Sequence, residues 1–380
     1  MIAFLARTTH SLAAEARRLW ALDTESATPM TGTTLRARQA RIEWIRFGVQ
    51  IGSMLLVLWI GWDFMTWVRG IEAGVPTGER PAGVEGFLPI AALMSLRHLL
   101  VTGEIHPVHP AGLIIFLAIL ATGVLMKKAF CSWICPIGTL SEMLADLSHR
   151  IFGRYLLPPR WLDIPLRSLK YLLLFFFASS IFVRMTPAAV SLFLDAPYSR
   201  VADIKMLYFF EHLSPFGWKV IGTLVLLSVV IPQFWCRYLC PYGALLGFLS
   251  LLSPLKVTRD AHSCIDCGLC AKACPARLPV DRLGRVSSDE CSACLSCVAA
   301  CPVPRALRVE TPPPWRRALR PAAFATLLLF VFLGGIQAAK VAGLWNTSVS
   351  DVEYMQRVRE LDGPEYFHIP SGPPPKALRR

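Results

Sequence analysis

The sequence predicts a membrane all-α bundle with a small cysteine-rich α+β module inserted before its last span. The bundle has about five spanning helices plus one short re-entrant or interfacial segment. Three observations predict this. Of 380 residues, 54% are hydrophobic and 17% charged, with a mean hydropathy of +0.48, whereas soluble domains carry about 25% charged residues and about 45–50% apolar ones. The apolar residues come in long runs. All 12 cysteines fall between Cys131 and Cys301, and eight of them lie between Cys264 and Cys301. This pattern excludes an ordinary cytosolic enzyme and a disordered regulator. A secreted disulfide scaffold would not sit between apolar spans, so metal ligation explains the clustering. The net charge of +13 would suggest nucleic acid on a soluble protein. Here it follows from Lys and Arg collecting on the cytoplasmic loops of an integral protein.

Along the chain, residues 1–22 fit an amphipathic surface helix or a basic tail, and nothing there has the architecture of a cleavable signal peptide. Residues 23–34 (DTESATPMTGTT) make a linker. The first span runs from about Trp44 to Trp67, since a hydrocarbon core of ~30 Å needs about 20 helical residues. Residues 70–86 are a Gly- and Pro-rich loop. Residues 87–101 (FLPIAALMSLRHLLV) are apolar but short and contain Arg97 and His98, which suits a re-entrant or interfacial segment. Further spans are expected at about Pro110–Met126, Ile164–Val183, Phe216–Trp235 and Ala318–Leu344.

Orientation follows from the basic residues. The first 46 residues hold seven Arg. Lys127, Lys128, Arg150, Arg154, Arg160, Arg167 and Lys170 follow the second span, and Arg316, Arg317 and Arg320 precede the last. The loop 63–109 carries five carboxylates against three Arg. The positive-inside rule therefore gives five crossings, with the N-terminus inside and the tail 346–380 outside. The expected domains are a cytoplasmic segment 1–43, a membrane domain 44–253, the cysteine-rich module 254–311, a final span within 312–345 and a periplasmic tail 346–380.

Residues 264–275 read CIDCGLCAKACP and residues 291–302 read CSACLSCVAACP. Each is C-x2-C-x2-C-x3-C-P, the bacterial two-cluster ferredoxin pattern. Three closely spaced cysteines wrap one cubane, and the fourth, before Pro, reaches the other. Cys264, Cys267, Cys270 and Cys301 are thus expected to hold one [4Fe–4S] cluster. Cys291, Cys294, Cys297 and Cys274 are expected to hold the second. Zinc sites instead come as two C-x2-C halves across a longer gap. Small residues at Gly268, Ala271, Ala273, Ala293, Ser296, Ala299 and Ala300 let backbone N–H groups approach the sulfides. Paired clusters serve to pass single electrons.

A weak internal repeat links two span ends, KKAFCSWICPIGTL and PQFWCRYLCPYGALLG. Cys131/Cys135 and Cys236/Cys240 stand at i, i+4, which on a helix puts both thiols of a pair on one face. Facing repeats would bring four thiols together near the inner surface. They can hold a metal or a further cluster, act as a redox dithiol, or be buried small hydrophobes. His98, His106 and His109 fall near the outer surface beside Glu104. They suit a quinol site, where a base takes the proton as the electron leaves, or they cap short helices. His212 beside Glu211 carries a weaker signal. The sequence has no C-x-x-C-H haem attachment, no G-x-G-x-x-G opening a βαβ unit and no P-loop.

These motifs resemble the NapH/NosR/CcoG group of membrane polyferredoxins. The resemblance is carried by about Val84 to Pro275, including FLPI, HP, KKAFCSWICPIGTLSE and WCRYLCPYG. It implies an integral protein of the bacterial inner membrane that moves electrons between the quinol pool or cytoplasm and a periplasmic acceptor. It implies a component of a respiratory or reductase system rather than a stand-alone enzyme. The expected partners are the lipid bilayer, quinol and a periplasmic reductase or electron carrier, with no nucleic acid. NosR-like relatives carry a large flavin-binding domain before their spans, and CcoG-like ones end in a β-sandwich. Neither segment is expected here, so no covalent flavin is expected. Two rivals remain: a copper-reducing assembly factor using the membrane cysteines, and a redox-sensing regulator.

Overall fold

The computed structural model describes residues 29–366, apart from Thr31, Thr77, Arg154, Tyr155, Leu157, Trp315, Asp362, Pro364 and Glu365. The expectations for residues 1–22 and for the end of the tail lie outside the described residues. The chain is mostly helical. In order come α1 (Gly32–Ala73), a 3-10 turn (Ala82–Phe87), α2 (Pro89–Thr102), α3 (Pro110–Met126), α4 (Ala129–Trp133) and α5 (Pro136–Phe152). Then follow α6 (Arg160–Ser179), which continues as a π turn (Ser180–Arg184), α7 (Pro187–Asp195), α8 (Ala202–Glu211) and α9 (Pro215–Val230). A second π turn (Trp235–Leu239) leads into α10 (Pro241–Leu249). The cysteine-rich module holds β1 (Lys256–Arg259), α11 (Leu269–Lys272), α12 (Ser296–Ala300) and β2 (Leu307–Glu310). After it come β3 (Ala318–Leu319), α13 (Pro321–Val341) and α14 (Asp351–Arg359).

Among the described residues, three helices are long and apolar enough to cross a membrane: Gly32–Ala73, Arg160–Arg184 and Pro321–Val341. At 1.5 Å per residue, the 42 residues of α1 reach about 63 Å. Its start absorbs the last residues of the expected linker. The reason is tertiary: Arg38 donates from Nη1 to the carbonyls of Val298 and Cys301, at 2.8 and 2.9 Å. The 17 residues of α3 reach only about 26 Å. The helix α9 follows α8 across a bend of 84°. With 14 residues, about 21 Å, α2 is too short to span.

The chain forms two compact units. One comprises residues up to 55, 119–174 and 224–334, and the other 56–118, 175–223 and 335 onward. In the first, an antiparallel sheet of order β1-β2-β3 pairs Val257 with Val309 and Val309 with Leu319. Its core joins Val257, Val286, Leu295 and Val298 to Ile42, Met126, Trp133, Phe324 and Leu328 of the helices.

In the second unit, Phe64, Trp67, Val68 and Ile71 of α1 pack with Val108, Val201, Ile204 and Tyr354. The indole of Trp67 meets the Tyr354 ring edge-on at 5.0 Å. Tyr354 sits on α14, within the segment expected as a polar tail. That helix has a sequence signature: the Ser350 hydroxyl accepts from the Glu353 N–H at 3.3 Å, in the S-x-x-E pattern of a capping box. Basic Arg357 and Arg359 close its last turn.

A buried ionic cluster ties this unit together. Arg80 donates to Glu85 at 2.8 Å and to Asp203 at 2.7 and 2.9 Å, with all three side chains almost fully buried. Burial works to raise the Glu85 carboxyl, but the His109 imidazole, Arg80 and the Gly112 N–H together hold it below the ordinary range. Removing one partner of a buried pair leaves an uncompensated charge, at a cost of about 3–5 kcal/mol. Arg80→Met is therefore expected to destabilise the protein by about that amount in thermal unfolding of the detergent-solubilised chain. A loss under about 1 kcal/mol, the size of a surface pair, would contradict this account.

Candidate iron–sulfur and thiol sites

The two C-x2-C-x2-C-x3-C-P runs adopt the same backbone. Asp266 and Gly268 in the first run have φ of +52° and +69°, and Ala293 and Leu295 in the second have +50° and +64°. These are matching positions, two and four residues after the first cysteine of each run. Left-handed backbone costs a residue with a Cβ roughly 1–2 kcal/mol, so the wrap around a bound group is built in against local preference. The loop then turns into α11 or α12.

The eight module cysteines gather in two sets, each crossing between the runs. Cys264, Cys267, Cys270 and Cys301 line one cavity of about 320 Å³, beside Ile265 and Asp281. Cys274, Cys291, Cys294 and Cys297 line another of about 370 Å³, beside Val286 and Ala293. The Arg277 N–H donates to the Cys274 carbonyl at 3.0 Å, which closes the turn after that cysteine. Burial pushes the Cys297 thiol well up and the Cys291 thiol up to about 11. Four such sulfurs ionise together only when a cationic metal group compensates them. The donor set and the cavities fit a [4Fe–4S] group in each. The first cavity is the outer one: Cys267 is exposed, and Ile265 beside it is 53% exposed.

The second cavity is held by the span ends. In the first repeat, Ser132 Oγ donates to the Ser292 carbonyl at 2.7 Å and Trp133 Nε1 to the Ala293 carbonyl at 3.0 Å. Both acceptors lie in the loop between Cys291 and Cys294. In the second repeat, Arg237 donates to the Pro275 carbonyl at 3.2 Å, next to Cys274. Arg237 is aimed by Asp163, which accepts from its Nε and Nη2 at 2.9 Å each and from Tyr238 Oη at 2.7 Å. Lys170 pairs with Glu290 at 2.6 Å, Lys128 with the same carboxylate at 3.9 Å, and Tyr171 donates to Asp289. Sequence reasoning passed over Asp163 and Arg237 and read Lys128 and Lys170 only as markers of orientation. Their one signal was charge set inside or beside otherwise apolar spans.

The four membrane cysteines sit on broken helices. Cys131 lies in α4 and Cys236 in a π turn, whereas Cys135 and Cys240 are extended, with ψ of 122° and 109°. A continuous helical i, i+4 face is thus replaced by a helix break. Pro136 and Pro241 cause it, because a residue before proline avoids the helical region. Cys135 and Cys240 become the N-caps of α5 and α10.

Of the expected quinol residues, the structure brings two together. His98 and His106 meet edge to face at 4.9 Å. His98 Nδ1 lies 3.2 Å from Ser191 Oγ, and His106 Nε2 lies 3.5 Å from Asp195. His109 belongs instead to the Glu85 network: its Nδ1 stands 3.7 Å from Glu85 Oε1, and its Nε2 donates to the Ser199 carbonyl at 2.8 Å. Glu104 is exposed, its N–H bonded to Thr102 Oγ1 at 3.2 Å.

Comparison with known proteins agrees with this cysteine architecture. A family described as a 4Fe–4S binding domain matches residues 108–155 and 215–259, and one described as a 4Fe–4S dicluster domain matches residues 256–302. The first pair of stretches contains Cys131, Cys135, Cys236 and Cys240 and none of the module cysteines. YccM of Escherichia coli (strain K12), named as a candidate electron transport protein, is 44% identical over 322 residues, covering 82% of this chain and 89% of that protein. Protein NirI of Paracoccus denitrificans (strain Pd 1222) is 30% identical over 223 residues, 57% of this chain and 31% of its own length. The ferredoxin-type protein NapH of Haemophilus influenzae (strain Rd) is 24% identical over 192 residues, 48% of this chain and 62% of its own. No solved structure matches. Fold and sites together define an iron–sulfur electron-transport protein with membrane-type helices. The chain belongs to the membrane-type polyferredoxin family that includes YccM, NirI and NapH.

The glycines after the two Cys-Pro pairs differ in tightness. A Cβ on Gly138 would lie 1.9 Å from the Cys131 carbonyl, whereas one on Gly243 would lie 3.4 Å from that of Cys236. Gly138→Ala is expected to lower stability by about 1–3 kcal/mol, and Gly243→Ala by under about 0.5 kcal/mol. Thermal unfolding of the two variants side by side checks the contrast, and equal losses would refute it.

Proposed function

We propose that this protein relays electrons between the quinol pool or cytoplasm and a periplasmic redox partner, through clusters on the cytoplasmic side of the bacterial inner membrane. The observation that carries it is the docking of both Cys-x3-Cys span ends, through Ser132, Trp133 and Arg237, onto the loops that bear the inner cysteine set. In this reading Cys274, Cys291, Cys294 and Cys297 hold the inner cluster, and Cys264, Cys267, Cys270 and Cys301 hold the outer one. Bound [4Fe–4S] clusters supply one-electron storage. The exposed Cys267 and Ile265 then mark the edge where a soluble carrier exchanges electrons.

Five crossings, with the N-terminus inside and the tail outside, complete the reading. Its support is the apolar character of α1, α3, α6, α9 and α13. The charge pattern of the connecting segments agrees.

At the outer side, His98 and His106 serve quinol. Oxidation of quinol releases a proton with each electron, so a neutral base is required. Burial holds the His106 imidazole below the ordinary histidine range, against the pull of Asp195. It is therefore neutral at pH 7, with Nδ1 accepting from the Val108 N–H at 3.4 Å and Nε2 facing the half-exposed Asp195 carboxylate, and it is the base of this reading.

Redox-titrated EPR on membranes containing the loaded chain tests the relay. Quinol is expected to develop reduced-cluster signals, and clusters that quinol leaves oxidised would remove the quinol arm. His106→Asn is expected to slow quinol-driven reduction by about 10²–10⁴-fold. In the parent protein that rate is expected to fall as pH drops through a value below about 6.5, where His106 gains its proton. A flat pH profile would sink the role of His106.

A further inference from the structure

We infer that Lys127 sets the reduction potential of the inner cluster, by holding an unpaired ammonium behind Cys291. The inference rests on the reading that Cys274, Cys291, Cys294 and Cys297 hold that cluster. It deepens the relay by naming the residue that tunes one of its centres.

The lysine stands where two preferences oppose it. It follows the last residue of α3 with a φ of +61°. A helix commonly ends in a left-handed residue, but glycine is the usual occupant, because a Cβ is strained there. The side chain is also fully buried, at 1% exposure, whereas lysine is almost never so placed unless it is paired. Among the described residues Lys127 makes no ion pair. An ammonium has three donors, and this one meets only two carbonyls, Ser288 at 2.8 Å and Ser250 at 3.4 Å. Burial pulls it down to about 8, so it still carries its proton at pH 7. A buried charge of this kind persists only where something compensates it.

Compensation is available on the far side of Ser288. The carbonyl that accepts from Lys127 Nζ also accepts from the Cys291 N–H, at 3.2 Å. One oxygen thus stands between the ammonium and the amide of a cysteine of the inner set. The backbone of the lysine is tied to the same region, its N–H donating to Ser253 Oγ at 3.0 Å. Lys128 and Lys170 are a different case. Both are buried, and both are answered by one carboxylate, Glu290, at 3.9 and 2.6 Å. Of the three lysines, Lys127 is the one that brings a whole charge to the site.

The lever is one-sided. Among the described residues, the inner cavity has no charged side chain in its lining, where Val257, Leu278, Val280 and Val286 stand beside the cysteines. The outer cavity has Asp266 and Asp281 in its lining. Reduction adds one electron, hence one negative charge, to a bound cluster, and a nearby cation favours that form. An apolar lining screens the attraction weakly. Lys127 therefore raises the potential of the inner cluster and leaves the outer one nearly untouched.

The test is a mediated redox titration, followed by EPR, of the full-length chain loaded without oxygen in nanodiscs. The parent is compared with Lys127→Gln, Lys127→Met and Lys127→Arg. Gln keeps a donor for the Ser288 carbonyl without the charge, Met removes both, and Arg keeps the charge. At the potential where one cluster of the parent is half reduced, Gln and Met are expected to move its ratio about tenfold toward the oxidised form, a fall of ~59 mV for one electron. Arg is expected to hold the parent midpoint, and the other module cluster is expected to hold its midpoint in all three. Unmoved midpoints in Gln and Met, equal shifts in both clusters, or a fall in Arg as large as in Met would each overturn the inference. Gln and Met are also expected to carry the parent's iron per chain. Failure of both to fold or to take up iron would mark the lysine as a structural prop and overturn it as well. The two readings fail separately, because mediators reduce the clusters whether or not quinol does. A shift in Lys127→Gln with clusters that quinol leaves oxidised would keep this inference and remove the quinol arm. Quinol-reducible clusters with no shift would do the reverse.

Discussion

One carboxylate, Asp163, sets the geometry on which the cluster module depends. It is buried in the first turn of a largely apolar helix and takes both nitrogens of the Arg237 fork, the Tyr238 hydroxyl and Arg167. With two of its donors fixed, the Arg237 guanidinium has a third left for the Pro275 carbonyl, beside a module cysteine. The planar fork makes this a rigid bracket, which a lysine could not reproduce. A buried pair of this kind adds little net stability over an apolar isostere. Its value is positional: it fixes where a span end meets a redox site.

The two span-end repeats reach that contact by different chemistry. The first uses neutral donors, Ser132 and Trp133, steadied by Gln50, which donates to the Ser132 carbonyl at 3.0 Å. The second uses a charged donor with its own counter-ion. The internal repeat thus conserves shape, through the Cys-Pro break and the following glycine, while its polar contacts diverge. Within the module the likeness is closer, and the left-handed residues recur at equal offsets although one run has Gly268 where the other has Leu295. Loop geometry there follows the demands of the group to be wrapped, over the preferences of the residues.

Much of this was legible in the sequence because it rests on periodicity and spacing. The helix α3 begins and ends at the expected Pro110 and Met126, where proline opens the helix and paired lysines follow it. The cysteine runs announced their crossed grouping through the terminal proline. The interactions across the fold were hidden. Arg38 looked like one more basic residue of an N-terminal segment, and its contact lies 263 residues away. Asp163 is a single acid beside an apolar run, and nothing next to it in the chain names Arg237 as its partner. His98, Glu104, His106 and His109 looked like one group by proximity along the chain. The turn at Gly103, with φ of +77°, separates Glu104 from the helix that carries His98, and Glu85 draws His109 into another network. The Ser350 capping box is readable in the sequence, but the residues behind it are mostly polar and do little to mark the helix.

The core of the first unit also bears on how far the cysteine-rich segment can be moved. Val257, Leu295 and Val298 lie in one apolar cluster with Ile42 and Met126, made before the module, and with Phe324 and Leu328, made after it. Trp133 bridges the two groups, its ring tilted against Phe324 at 5.7 Å and its Nε1 donating into the loop after Cys291. Segment 254–311 is therefore no portable cassette. Cut out and expressed alone, it would present bare apolar surface where its scaffold had been. The apolar helices here act as the missing half of a small protein's interior.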